Sequence, residues 1–124
     1  LILYNWYYEL WEFPRTQIAG HEDIVEAATR GAFEMAGQRI LDFHEECCST
    51  LEYVAQVRDY EIQHTVVYYL AEVDRSEVVL GDENHCEAQW GDYHNTWELL
   101  TETAPMLLPA LDRAAFCLNN RTAD

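Results

Sequence analysis

The stretch from His64 to Val73, HTVVYYLAEV, constrains the fold more than any other part of the chain. β-Branched and aromatic side chains fill it almost without a break, so it predicts a strand, and one covered on both faces. Such a strand needs layers above and below it. The remaining segments supply them.

Leu1 to Tyr4 is a short apolar run and Trp6 to Trp11 is aromatic; both read as strands, with Pro14 ending regular pairing before a loop from Arg15 to His21. Glu22 to Ala36 reads as a helix. Glu22 and Asp23 stand where the positive end of the helix dipole favours carboxylates, and Gly37 stands where helices commonly stop. At about 100° per residue, Glu22, Glu26, Arg30 and Glu34 follow one another on one face, while Ile24, Val25, Ala28, Ala32, Met35 and Ala36 gather on the other. Arg39 to Glu46 and Thr50 to Arg58 read as strands, and Glu77 to Leu80 and Glu87 to Trp90 as shorter ones. Asn95 is placed to cap a helix over Thr96 to Leu100, and Pro105 to open a last helix through Leu118. The order predicts an α/β fold with a mixed sheet between helices.

Composition narrows the function. The 124 residues are 49% hydrophobic with no Pro- or Gly-rich linker, which predicts one domain over residues 1–124. The formal net charge is -16, and every basic side chain other than histidine is arginine. That balance makes nucleic acid an improbable partner, because phosphates would be repelled; a polyanionic ligand must arrive with metal ions or meet a local Arg cluster. No run approaches the roughly 20 apolar residues that span a bilayer, so the reading is a soluble protein without a membrane partner. Cys47, Cys48, Cys86 and Cys117 read as reduced, packed thiols of a cytoplasmic or other reducing compartment, since adjacent cysteines rarely bond to each other. No C-x2-C or H-x3-H spacing supports zinc, and no spacing singles out a Cys–His nucleophile.

Taken alone, the Glu22, Glu26, Arg30, Glu34 stripe is a solvated face with i,i+4 ion pairs worth about 0.2–0.5 kcal/mol each. The aromatics Trp6, Tyr7, Tyr8, Trp11 and Trp90 could stack an adenine or fill the core of a small sheet. At 13% aromatic content some rings should reach the surface, which favours a ligand or a protein partner.

The run WEFPRTQIAGHEDIVEAATRGAFEMAGQ, Trp11 to Gln38, resembles the signature of the Nudix hydrolases, in particular their diadenosine tetraphosphate hydrolase-like branch. Pro14, Glu22, Arg30, Glu34 and Gly37 keep the spacing of that signature. His64 to Val73 is similar to the branch's K-T-V-x-Y-x-L-A-x-V strand, and Asp82 to Trp90 to its S-x-E-H-x-x-x-x-W segment, so the resemblance covers nearly the whole chain. It implies an α/β/α Nudix sandwich, with the family's first strand, which precedes the segment matching LILY, missing or diverged. It also implies a pyrophosphohydrolase that uses Mg²⁺ or Mn²⁺, hard cations for which carboxylates cluster on a helix. By the resemblance Glu34 is a metal ligand, Glu22 supports the metal, Arg30 orients the glutamates, and Glu83 or Glu87 completes the site or acts as base. Arg15 faces phosphate, His85 lies near the phosphate site, and Trp11 contributes to substrate binding. Three positions depart: Gly31 and Met35 replace glutamates and Thr16 replaces the loop glycine, so the box is degenerate. Two function classes follow. One is a metal-dependent hydrolase of nucleoside polyphosphates such as dinucleoside tetraphosphates; the other is a non-catalytic nucleotide-binding or protein-interaction module, as a subunit of a larger assembly would be.

Overall fold

In the computed structural model, residues 1–75 and 77–121 are described. Strand β1 (Ile2–Asn5) is the middle of a three-stranded sheet in the order β2-β1-β5, with β2 (Leu10–Glu12) and β5 (His85–Gln89) antiparallel on either side. Ile2 and Leu3 are fully buried, as a central strand requires. The aromatic run expected as one strand is split. Asn5 Oδ1 accepts from the N–H groups of Tyr7 (3.0 Å) and Tyr8 (3.1 Å), so residues 6–9 turn and only Leu10 to Glu12 pair back.

The second sheet is a hairpin of β3 (Ile40–Val57) and β4 (Tyr60–Val73), turning at Arg58 and Asp59 with Arg58 at φ 58°. The two strands expected between Arg39 and Arg58 are one strand, because a break in register between His44 and Cys48 bends it without ending the pairing. The strand expected from His64 begins earlier and is not covered on both faces throughout. Val67 and Ile62 are exposed, while from Tyr68 to Ala71 successive side chains are half-buried. All pairings among the described residues are antiparallel and fall into two sheets, β2-β1-β5 and β3-β4, where one mixed sheet is expected from the sequence.

Helix α1 (Ile24–Ala36) starts after Glu22 because Asp23 is its N-cap: Asp23 Oδ1 accepts from Glu26 N–H at 2.8 Å, and the Glu26 side chain reaches back in a capping box. Gly37, at φ 68°, ends it with the paired bonds Gly37 N–H to Phe33 O and Gln38 N–H to Ala32 O. The buried face is Ala27, Gly31 and Ala36; Ile24 and Val25, expected inside, are exposed beside the cap. Residues 77–80 form no strand. They lie over the end of α1, with Val79 N–H bonded to Ala36 O.

Helix α2 (Tyr93–Thr103) is capped by Asp92, whose Oδ1 accepts from Asn95 N–H at 2.9 Å; the expected cap, Asn95, is the donor three residues on. Pro105 to Leu107 make a 3₁₀ turn before α3 (Leu108–Arg121). Leu100, Ala104 and Leu107 form the buried centre between α2, α3 and the sheets, packed by Trp11, Phe13, Leu51 and Tyr68. Helix α1 packs on β3, while α3 packs on β3 and β4 and α2 on β2, which gives the α/β/α arrangement.

One thiol expectation is overturned. Cys47 on β3 and Cys117 on α3, both buried, are joined in a disulfide with their Cα atoms 6.2 Å apart, leaving Cys48 and Cys86 free and exposed. The alternation that turns Cys48 outward points Cys47 at the helix, and the fold brings Cys117 to meet it. No helix among the described residues is long and apolar enough to cross a membrane.

Candidate functional site

Arg30 organises the N-terminal half of α1. Its Nε and Nη2 donate to the two oxygens of Glu22 at 2.8 and 2.9 Å, its Nη1 to Glu34 Oε2 at 3.0 Å and to Thr16 Oγ1 at 3.2 Å, and its Nη2 also to Gln17 O at 2.6 Å. This planar fork satisfies a carboxylate bidentately and clamps the preceding loop onto the helix. The Glu22 side chain is 8% exposed. Arg30, and then the Ala19 N–H that donates to Glu22 Oε1, hold its carboxyl at about 2. In turn Glu22 first, and Glu34 after it, raise Arg30 above its ordinary value.

The structure brings Glu22, Arg30 and Glu34 together in an ion-pair clamp, with Arg30 holding both carboxylates. Gly31 explains the rest: a Cβ added there would lie 2.6 Å from Thr16 Cγ2 and 3.0 Å from Thr16 Cβ. Thr16 and Gly31 fit each other, one filling the room the other leaves. Met35 is half-buried, with its carbonyl facing the Gly81 N–H.

Glu83 is in the loop before β5 and Glu87 is on β5 itself. The Glu83 carbonyl accepts from Trp6 Nε1 at 2.7 Å, and Glu87 sits on β5 opposite Tyr4. His85 is buried on β5 with its Nε2 2.9 Å from Glu12 Oε2, while Asn5 Nδ2 donates to the same oxygen at 2.8 Å. Trp11 is half-buried against Tyr4 and the α2 core. No three or more His, Cys, Asp or Glu side chains among the described residues are arranged to hold a metal ion. A divalent cation of the Mg²⁺ type takes oxygen ligands, some of them waters, around one or two carboxylates; here Glu22 is held by Arg30 through both oxygens, Glu34 through one, and Gly31 and Met35 bring no carboxylate. The residues do not fit such an ion as they stand.

Two adjoining hollows share the loop Thr16 to Ile18. The smaller, ≈ 380 Å³, is lined by that loop, Ala19 and Arg30. The larger, ≈ 770 Å³, lies between α1, the β3–β4 hairpin and α3, and includes Arg15, Tyr53, His64, Tyr68 and Arg113. Arg15 Nη1 donates to Tyr53 OH at 3.0 Å, and the Tyr53 ring stacks on His64 with centroids 4.9 Å apart and planes 8° from parallel. Burial raises the Tyr68 phenol above its ordinary range. The only trace of Tyr53 and His64 in the sequence is their place in the alternating patterns of two strands. Their pairing depends on hairpin register, Tyr53 opposite His64.

No protein-family model matches the chain, and no curated protein matches it. Among solved structures, a binary complex of the Ap4A hydrolase of C. elegans aligns over 96% of this chain and 85% of its own, with TM-score 0.76 and 24% identity. A second crystal structure of the C. elegans Ap4A hydrolase aligns over 94% of this chain and 83% of its own, with TM-score 0.69 and 22% identity. At these identities the likeness speaks for architecture, and the architecture of this chain is the Nudix α/β/α fold.

Proposed function

We propose that this chain is a non-catalytic Nudix-fold module that binds a nucleotide-type polyanion, such as a dinucleoside polyphosphate, in the larger hollow. The observation that carries the first half is the Thr16–Gly31 contact, which leaves no room for a carboxylate at position 31 beside Glu34, with Met35 supplying none at the next position. The second half rests on Arg15, which donates to the Tyr53 of the Tyr53–His64 stack, and on Arg113, which lines the same hollow, of the size that ligand pockets have. Arginines there meet the requirement that a polyanion find local positive charge on an acidic protein.

Calorimetry is expected to give no Mg²⁺ or Mn²⁺ binding, and diadenosine tetraphosphate to bind without phosphate release. Arg15→Ala should weaken that binding about tenfold, the loss of one charge-assisted contact. The solved neighbours, named as Ap4A hydrolases, favour the competing reading of a metal-dependent hydrolase. Metal-dependent turnover of about 1 per second or more, abolished in Glu34→Gln, would establish that reading and remove ours.

A further inference from the structure

The turn between β1 and β2 puts three aromatic rings in solvent: Trp6 is 52% exposed, Tyr7 64% and Tyr8 63%. They contact one another edge to face, Trp6 to Tyr7 at 6.2 Å and Tyr7 to Tyr8 at 5.0 Å between centroids. The turn is built to hold them. Asn5 ties its backbone at Tyr7 and Tyr8, and Asn5 is itself buried and bonded to the buried Glu12, which meets His85. Trp6 is pinned twice to the neighbouring loop, by its N–H to Asn84 O at 3.0 Å and its indole Nε1 to Glu83 O at 2.7 Å. The polar groups are thus satisfied within the fold, and the ring faces are left for something else.

The charge around the rings selects what that is. Exposed Glu9 follows Tyr8 in the turn, and half-buried Asp82 and exposed Glu83 lie in the loop to which Trp6 is bonded. Neither the turn at residues 6–9 nor the loop at residues 82–84 holds a basic side chain, and His85, which follows on β5, is buried. A nucleotide stacking here would bring its phosphates against carboxylates with no cation to receive them. A guanidinium meets the opposite situation, with ring faces that attract cations and carboxylates that pair with them.

We propose that this turn docks an arginine-bearing extended segment of a partner protein, with Trp6, Tyr7 and Tyr8 as the stacking platform and Glu9 and Glu83 as the charge partners. The platform lies apart from the Arg30 clamp and from the larger hollow, neither of which includes these residues.

The test uses a fluorescein-labelled Gly-Arg-Gly-Arg-Gly-Arg peptide, anisotropy at about 0.15 M salt, and the whole chain. The variant W6A/Y7A/Y8A keeps the net charge, so bulk attraction to an acidic protein is held constant. It is expected to bind the peptide about tenfold or more weakly, and E9Q/E83Q to weaken binding with a shallower salt dependence. In the wild-type chain the peptide should shift the indole N–H resonance of Trp6 and leave those of Trp11, Trp90 and Trp97 in place, a reading that needs no variant to fold. Unchanged affinity in W6A/Y7A/Y8A, or no movement of the Trp6 resonance, would overturn the proposal. So would equal affinity for free arginine amide, which marks a small-molecule cation site, or an adenine nucleotide that displaces the peptide from Trp6.

Discussion

Arg30 is where the chemistry of this chain turns. Its i,i+4 relation to Glu34 and its place in the acidic stripe are readable from spacing, but the bidentate pair with Glu22 comes from a loop that folds back onto the helix. That pair has a pH signature. A carboxyl held at about 2 against an ordinary 4.5 contributes stability that is fully present above about pH 4.5 and is lost as pH falls through about 2. Urea unfolding midpoints measured between these limits should fall with acid in the wild-type chain and fall less in Glu22→Gln; identical slopes would show that the pair adds nothing. The Thr16 and Gly31 contact makes a second prediction. Restoring carboxylates alone, as G31E/M35E, should not create Mg²⁺ affinity, because the new side chain at 31 meets Thr16. T16G/G31E/M35E should bind Mg²⁺ in calorimetry, and metal binding by the double variant would show that Thr16 yields.

At the scale of elements, boundaries follow caps and turns more than hydrophobic pattern. Asp23 and Asp92 start α1 and α2 because each has an extended backbone and accepts a bond from the third residue of its helix, a local interaction. The Trp6 to Trp11 run looks like one strand by composition, yet Asn5 turns it. Periodicity shows that β-rich and helical segments exist; it does not reveal that Cys47 and Cys117 meet, since they are 70 residues apart in sequence. Closing a loop of that length restricts the unfolded chain, so C47S/C117S should lose about 2–4 kcal/mol of stability. Denaturant unfolding of the variant beside the oxidised and reduced wild type measures this, and equal midpoints in all three would mean the bridge is stabilisingly silent.

Across the whole molecule, the acidic charge is spread over surface, while the arginines that matter are few and local. Arg15 and Arg113 line the larger hollow, so a chain of net charge -16 still offers positive groups to an anion at one place. The aromatic turn at the end of the β2-β1-β5 sheet has the reverse character, rings edged by carboxylates. The two surfaces suit ligands of opposite charge.

By itself the sequence determined the α/β class, the helix over most of Ile24 to Ala36, the strand through His64 to Val73 and the nearness of Arg30 to Glu34, because each depends on patterns a few residues long. Only the tertiary structure decided that Glu22 closes on Arg30, that Thr16 occupies the room at Gly31, that Tyr53 stacks on His64 and that Cys47 bonds Cys117. These contacts join residues whose distance in the chain says nothing of their distance in space. Loop path and strand register set them, and both are outcomes of burying a common core.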